Sequence, residues 1–237
     1  MSETLQVGLA AEGITDYHVI ESIIESVLGE RSFDLKLLQP EDSVAFMGSG
    51  AAGALGGGWR GVYKWCLQAS SDFERISEGP ALVNLDLLII HLDADVAKED
   101  PANNPIAPIP ALRGKLPCAQ PCPSARATTD ALRAVILSWL GETSTPAQIV
   151  LCTPSMNTEA WVMQLLCPND SAVRSATWEC FEKPERRLPQ QSLSQRFTKS
   201  GKDYSSRRPG MVQGWPVAVA KLSEAARFEQ EFRASIA

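Results

Sequence analysis

The sequence predicts an α/β protein with a mostly parallel central sheet flanked by helices. Short apolar runs typical of buried strands alternate along the chain with longer segments in which apolar residues recur at helical spacing. Such alternation is typical of parallel sheets, because each crossover between neighbouring strands is made by a helix. The 237 residues, of which 44% are hydrophobic and 21% charged, are enough to bury a sizeable core.

The order of the predicted elements follows from these patterns. Strands are expected at residues 4–11, 33–38, 82–93 and 148–152. Helices are expected from residue 15 to Gly29 and at about 61–76, 124–140, 157–166 and 215–235. Thr15 is expected to cap the first helix, with Asp16 in its first turn. Residues 1–167 are expected to form the α/β domain, and residues 168–237 a basic C-terminal extension whose last helix packs on the same domain.

An apolar run that ends in two aspartates marks the candidate site. Residues 87–95 read Leu-Leu-Ile-Ile-His-Leu-Asp-Ala-Asp, so Asp93 and Asp95 lie on the same side of a strand. Two carboxylates there repel each other and lose hydration unless a cation or a proton lies between them. Because the carboxyl ends of parallel strands share one edge, Glu12 and Glu159 are expected to join them. The pattern predicts a site for a divalent metal.

Composition limits the possible functions without fixing one. The net charge of −6 gives no general basic signal for nucleic acid, although a local patch is what matters for binding. The six cysteines contain no Cys-x-x-Cys pair and the chain has two histidines, which argues against a zinc cluster. Scattered cysteines, the lack of an apolar run of membrane-spanning length and the lack of a secretory signal predict a cytoplasmic protein.

Three further features have a structural interpretation beside a functional one. His91 lies inside the apolar strand and is expected to be buried and hydrogen-bonded. The glycine-rich stretch 48–61 lacks the spacing of a P-loop or of a dinucleotide-binding motif, so a flexible loop is expected, with Arg60 as a candidate phosphate contact. The proline-rich stretch 97–123 predicts a long loop and a candidate lid.

The segment after residue 168 is rich in basic residues. They are Lys183, Arg186, Arg187, Arg196, Lys199, Lys202, Arg207 and Arg208. They form either a solvated loop or an arm that contacts the phosphates of a nucleic acid, and the sequence leaves both open. Lys199 or Lys202 is a candidate for a cation that stabilises a transition state. Spacing does not choose between them, and Lys202 is the one we place among the catalytic candidates.

Three motifs in order resemble the Toprim fold of topoisomerases, primases and OLD-family nucleases. They are Glu12-Gly-Ile-Thr-Asp16, Asp93-Ala-Asp95 and Glu159-Ala-Trp161, and the resemblance covers roughly residues 4–165. More closely, the chain is similar to the small stand-alone Toprim-like proteins of prokaryotes. The resemblance implies a Rossmann-like Toprim fold and a nuclease that hydrolyses phosphodiester bonds of DNA, or of RNA, with Mg²⁺ or Mn²⁺.

The same resemblance implies roles for the acidic residues and a biological setting. Asp93 and Asp95 would be metal ligands, Glu12 a ligand or a general acid–base, and Glu159 a further ligand. Relatives of this kind are found beside ABC-type ATPase partners in anti-phage systems, so defence against phage or mobile elements is the expected context. The non-enzyme alternative is an effector module that is silent without such a partner.

A phosphatase of the haloacid dehalogenase type is the alternative enzyme. Residues 91–96 also resemble the first motif of that family, and Thr153 at the end of a strand resembles its second. In that case Asp93 would be the nucleophile and Asp95 the acid–base. The mid-chain position of the motif and the lack of a later apolar-Gly-Asp-x-x-x-Asp motif count against this alternative, and it leaves Glu12 without a role.

Overall fold

The computed structural model describes residues 4–40, 55–70, 75–100, 102–103, 115–192, 196 and 198–237. In this part of the chain four strands form one sheet in the order β2-β1-β3-β4, and all neighbouring pairs are parallel. The strands are β1 (Leu5–Ala10), β2 (Phe33–Gln39), β3 (Leu87–His91) and β4 (Ile149–Cys152). The predicted α/β class with a parallel, Rossmann-like sheet is confirmed.

Helices connect and flank the strands. They are α1 (Ile14–Leu28), α2 (Gly58–Ser70), α3 (Ala125–Trp139), α4 (Thr158–Leu166), α5 (Gly201–Ser206), α6 (Arg208–Lys221) and α7 (Ser223–Ser235). Short 3₁₀-helices lie between them at Ile76–Glu78, Pro80–Leu82, Ala94–Lys98, Trp178–Cys180 and Pro184–Gln190.

The register of the sheet brings three strand ends level with one another. Ala10 lies opposite Ile90, and His91 lies opposite Cys152. Backbone pairing continues one residue further, since the N–H of Leu92 donates to the carbonyl of Cys152 at 3.0 Å. The residues that follow β1, β3 and β4 therefore emerge at the same edge, as expected for parallel strands.

Both faces of the sheet are covered, which explains the uninterrupted apolar sequence of β3. Leu87 and Ile89 face a core shared with α1, α4, α6 and α7, whereas Leu88 and Ile90 face a second core shared with α2 and α3. A strand buried on both sides shows no apolar–polar alternation. The sheet edge that carries the candidate site is thus held from two sides.

Two predicted boundaries are wrong. The first helix begins at Ile14 with Gly13 at the capping position, so Thr15 does not cap it and lies buried within the first turn beside Asp16. The central strand begins only at Leu87, because the chain before it turns at Pro80–Leu82. Asp86 then accepts a hydrogen bond from the backbone N–H of Gln6 at 2.7 Å.

The C-terminal extension is more ordered than predicted. In place of an irregular stretch and one helix over 215–235, the chain forms α5, α6 and α7, and the break between α6 and α7 falls at Leu222, whose backbone is extended. Trp215 and Phe228 pack against Trp161 of α4, with ring centroids 5.4 and 6.0 Å away. The extension therefore contributes to the core on one face of the sheet.

Part of each of the two predicted loops falls outside the described residues. This applies to residues 48–54 of the glycine-rich stretch and to residues 101 and 104–114 of the proline-rich stretch. The lid interpretation of that second stretch therefore concerns a segment whose middle lies outside the described part of the chain. None of the described helices is both long and apolar enough to cross a bilayer.

A disulfide joins Cys122 to Cys180 across 58 positions of sequence, with 6.2 Å between the Cα atoms. It ties the segment before α3 to the segment after α4. Disulfides persist in oxidising compartments and are rare in the reducing cytoplasm. The bond therefore argues against the prediction, made from the scattered cysteines, that the protein belongs to a reducing compartment. The cytoplasmic location stays a prediction.

Replacing Cys122 with Ser tests the contribution of this bond to stability. Because a cross-link over a long loop lowers the entropy of the unfolded chain, we expect the substitution to reduce the free energy of unfolding by about 2–4 kcal/mol under oxidising conditions. Urea unfolding with and without dithiothreitol measures it. Cys66→Ser is the control for loss of a free, buried thiol. Equal stability of oxidised wild type and Cys122→Ser would show that the bond contributes nothing.

Candidate metal centre

The candidate metal centre forms where β1, β3 and β4 end. Glu12 follows β1 by two residues, and Asp93 follows β3 by two residues. Asp16 comes from the first turn of α1 and Thr158 from the first residue of α4. His91 is the last residue of β3. Five side chains from separate parts of the sequence thus reach one edge of the sheet.

Asp93 is at the centre of the hydrogen bonds that hold these residues together. Its Oδ1 accepts from the backbone N–H of Thr158 at 2.9 Å and from the Thr158 hydroxyl at 3.0 Å. Its own backbone N–H donates to Oε1 of Glu12 at 2.8 Å. These contacts fix the relative positions of β1, β3 and α4.

His91 is fully buried next to this group. Its Nε2 lies 2.8 Å from Oγ1 of Thr158 and 3.3 Å from Oδ1 of Asp93. Since the Thr158 hydroxyl already donates its one hydrogen to Asp93, it accepts from His91, so Nε2 carries a proton. The expected buried, hydrogen-bonded histidine is found, and it lies within the site.

The group suited to hold a metal ion is Asp16, His91 and Asp93. One ligand atom from each lies within 4.8 Å of the others, and all three residues are buried. Among the described residues, Oδ1 of Asp16 has no hydrogen-bond partner. An unsatisfied buried carboxylate oxygen is costly, and a bound cation would satisfy it.

Asp16 was missed as a site residue by sequence reasoning. Its position in the first turn of a helix suggested an acid favoured by the helix dipole. Its place four residues after Glu12, in a helix that starts at the same sheet edge, is the sequence feature that could have identified it.

Burial and a neighbouring negative charge raise the pKa values of Glu12 and Asp16. The pKa of Glu12 lies well above its usual value, because the carboxyl is enclosed by protein and faces Asp93. The pKa of Asp16 is also raised, first by burial and then, against the opposite effect of His91, by Asp93. Both acids therefore favour a proton or a cation at this place.

His91 carries a positive charge among the carboxylates of Glu12, Asp16 and Asp93. Burial disfavours its charged form, but Asp16, Asp93 and Glu12 around it outweigh that effect and raise its pKa to about 9. The imidazole is therefore protonated at neutral pH when no metal is bound. In that state it balances one of the negative charges instead of acting as a metal ligand.

Asp95 lies at the rim, outside this group. Its side chain is exposed to solvent, and its backbone N–H donates to the carbonyl of Met156 at 2.7 Å. Surrounding protein, followed by Asp93 and Glu185, raises its pKa to about 7. The structure thus places Asp95 near the predicted site but not among the three residues whose ligand atoms converge.

Glu159 belongs to a second group, formed with the C-terminal extension. Its Oε1 accepts from the hydroxyl of Tyr204 at 2.9 Å and pairs with Nζ of Lys199 at 2.9 Å. The carboxyl is fully buried, and burial raises its pKa despite the charge of Lys199. Glu159 therefore meets an ammonium group, whereas the resemblance implied a metal.

The basic residues are placed differently from one another. Lys199 reaches the site with half of its side chain exposed, whereas Lys202 is exposed on α5. The Arg60 guanidinium lies 5.5 Å from the ring centroid of Trp59.

The remaining candidates for phosphate contact lie mostly in local pairs. Arg187 forms a two-point pair with Asp170 at 3.0 and 2.7 Å, and Arg208 pairs with Glu21 at 2.8 Å. Arg207 donates to the carbonyl of Arg196 at 3.2 Å, and Arg186 is exposed.

Comparison of the chain with protein-family models, curated proteins and solved structures finds no match. The resemblance to Toprim-like proteins therefore stays a prediction from the motifs.

Thermal unfolding with and without metal tests the role of Asp16. At a metal concentration near 100 times Kd, wild type should gain about 2.7 kcal/mol, which is roughly 5–10 °C in Tm. Asp16→Asn should lose this gain. Because Asn keeps the size of the side chain and burial already disfavours the charged form of Asp16, the metal-free Tm should stay within about 2–4 °C of wild type.

Asp34→Asn, at an exposed position of β2, is the matched control and should behave as wild type. If Asp16→Asn keeps the full increase in Tm with metal, Asp16 is not a ligand.

Proposed function

We propose that the protein is a metal-dependent nuclease that hydrolyses phosphodiester bonds at the carboxyl edge of its sheet. The observation that carries this proposal is the convergence of Asp16, His91 and Asp93, with Glu12 hydrogen-bonded to the backbone of Asp93. Clustered carboxylates with raised pKa values are typical of sites that bind a cation or act as general acids and bases. Phosphodiester hydrolysis uses both abilities.

The donor atoms favour Mg²⁺, with Mn²⁺ as a substitute. Carboxylate oxygens are the ligands that Mg²⁺ prefers, and Asp16 and Asp93 offer them. A histidine that is protonated at neutral pH leaves the coordination to these oxygens, whereas deprotonated it would suit Mn²⁺ as well. When bound, the metal would polarise the phosphate and lower the pKa of a coordinated water.

The side chains around the metal have separate roles in this proposal. Thr158 and His91 hold Asp93 in the orientation of a ligand. Glu12, whose pKa is raised and whose side chain is partly exposed, accepts a proton from the attacking water. Lys199, held by Glu159 at the mouth of the site, contacts a phosphate oxygen and offsets the charge that develops there.

The exposed basic residues bear on the substrate, and the motifs bear on the biological setting. The exposed Arg186 and Lys202 and the partly exposed Arg60 suit a polyanion, and DNA is the proposed substrate, with RNA as the alternative. The defence context and an ABC-type ATPase partner are carried only by the resemblance of the motifs.

Cleavage of plasmid and single-stranded DNA in Mg²⁺ or Mn²⁺ tests the proposal. Glu12→Gln and Asp93→Asn should each lower the rate by about 10²–10⁴-fold, since one removes the proton acceptor and the other a metal ligand. Asp34→Asn should cleave like wild type. Cleavage that persists in both Glu12→Gln and Asp93→Asn would contradict the proposed mechanism.

Phosphate release from small phosphomonoesters, without any nicking, would instead favour the phosphatase. Activity only after addition of an ATPase partner would favour the effector module.

A pair of lysine substitutions tests which cation assists the chemistry. Lys199→Ala should lower kcat by about 10²-fold, because its ammonium lies at the site, whereas Lys202→Ala should change it less than about threefold. A metal-induced rise in Tm that persists in Lys199→Ala would show that the metal site itself is intact. The reverse order of the two effects would assign the role to Lys202, as the sequence first suggested.

A further inference from the structure

A cavity of about 350 Å³ lies beside the aspartate turn. Its walls come from four segments: Ala94–Lys98, the chain around Cys122 together with the start of α3, Ser155 and Met156 after β4, and the residues around Cys180. It shares no residue with the Asp16–His91–Asp93 group. Its size falls at the lower end of ligand pockets, which span about 300–1,000 Å³, so it suits a small ring system rather than a large cofactor.

The cavity and the metal centre share one piece of backbone. Ala94, which lies between Asp93 and Asp95, forms part of the cavity wall. Its N–H donates to the carbonyl of Pro154 at 3.2 Å, and the N–H of Asp95 donates to Met156, another wall residue, at 2.7 Å. The cavity wall therefore begins one residue along the chain from Asp93 of the candidate metal centre.

The walls favour a flat, apolar ring. Much of the surface comes from alanines, from the thioether of Met156 and from the Cys122–Cys180 disulfide. Sulfur atoms make favourable contacts with aromatic rings. The uncharged polar side chains on the wall are Gln120, Thr128 and Ser155, and hydrogen bonds to such groups can fix the orientation of a bound ring.

The charges at the cavity do not suit a second phosphate. Glu179 and Glu182 face one cation, Lys98, which is already paired with Glu182 at 2.8 Å. Oε1 of Glu179 accepts from Ser155 and Ser223, at 3.3 and 3.0 Å. Oε2 of Glu179 has no hydrogen-bond partner in the described part of the chain, and such an oxygen can accept from an exocyclic amino group. The cavity is thus suited to a neutral ligand with N–H donors.

We infer that this cavity receives one unstacked nucleobase of the substrate, next to the phosphate that is cleaved. The inference rests on the proposed nuclease function and specifies its substrate class, which is nucleic acid that is single-stranded or locally unpaired. A base inside a duplex is stacked and paired, and enzymes reach such a base only after extruding it. Accordingly the protein prefers strands whose bases are free to enter the cavity.

An abasic scan of the wild-type protein tests the inference. Single-stranded oligonucleotides of one sequence carry one abasic site, moved position by position across the cleaved bond. Cleavage in Mn²⁺ should fall by roughly tenfold or more at one position next to that bond, since the base contact is lost there. The matching duplex should be cut at least about tenfold more slowly than the single strand. Equal cleavage at all abasic positions would overturn the inference and leave the nuclease function standing.

A pair of tryptophan substitutions adds a matched control. Ala119→Trp fills the cavity from an exposed wall position whose backbone alone bonds to Ala97, and it should abolish the position dependence of the scan. Ser175→Trp fills a second cavity of about 230 Å³, lined by Arg174 and Lys221, and should leave the scan unchanged. Loss of the position dependence in Ser175→Trp alone would overturn the assignment.

A binding measurement distinguishes failure of the proposed nuclease function from failure of the proposed base pocket. The affinity of wild type for the same oligonucleotides is measured in Ca²⁺ by fluorescence anisotropy, which requires no catalysis. Weaker binding at the same single abasic position, together with no cleavage in any metal, would refute the nuclease function but retain the base pocket. Uniform binding and no cleavage would refute both.

Discussion

The charge balance around Oδ1 of Asp93 is the constraint on which the rest of the site depends. This oxygen accepts the first N–H of α4 and the hydroxyl of Thr158, and His91 lies 3.3 Å away. The N-terminus of a helix carries partial positive charge, which favours an anion there. Asp93, just after β3, thus accepts a hydrogen bond from the start of α4, sixty-five positions later. The same bonds hold the metal-binding group in place.

The C-terminal extension belongs to this site as much as to the core. Tyr204 of α5 and Lys199 just before it both reach Glu159, whose carboxyl is fully buried. An isolated buried carboxylate would be strongly disfavoured, so these two partners are what allow Glu159 to lie there. Because α6 and α7 also complete the core on the same face of the sheet, folding of the extension and assembly of the site are coupled.

The sequence was informative where periodicity determines position. Glu12 and Asp93 follow strands with clear apolar runs, and the parallel order of such strands places their ends together. Asp16 and Thr158 escaped notice because the start of a helix explains an acid or a hydroxyl equally well without any function. Only tertiary contacts distinguish Lys199 from Lys202, because the segment that carries them shows no periodic pattern of apolar residues.

A simple count of charges connects the metal-free protein with the proposed enzyme. Glu12, Asp16 and Asp93 bring three negative charges when ionised, and protonated His91 brings one positive charge. The remaining charge of minus two equals that of one divalent ion with the opposite sign. Without metal, burial and the neighbouring Asp93 raise the pKa values of Glu12 and Asp16, which shifts both carboxyls toward the protonated form. In the proposed enzyme a divalent cation would take the place of these protons, and the bonds from Thr158 and from the backbone of Asp93 already hold Asp93 and Glu12 at the site.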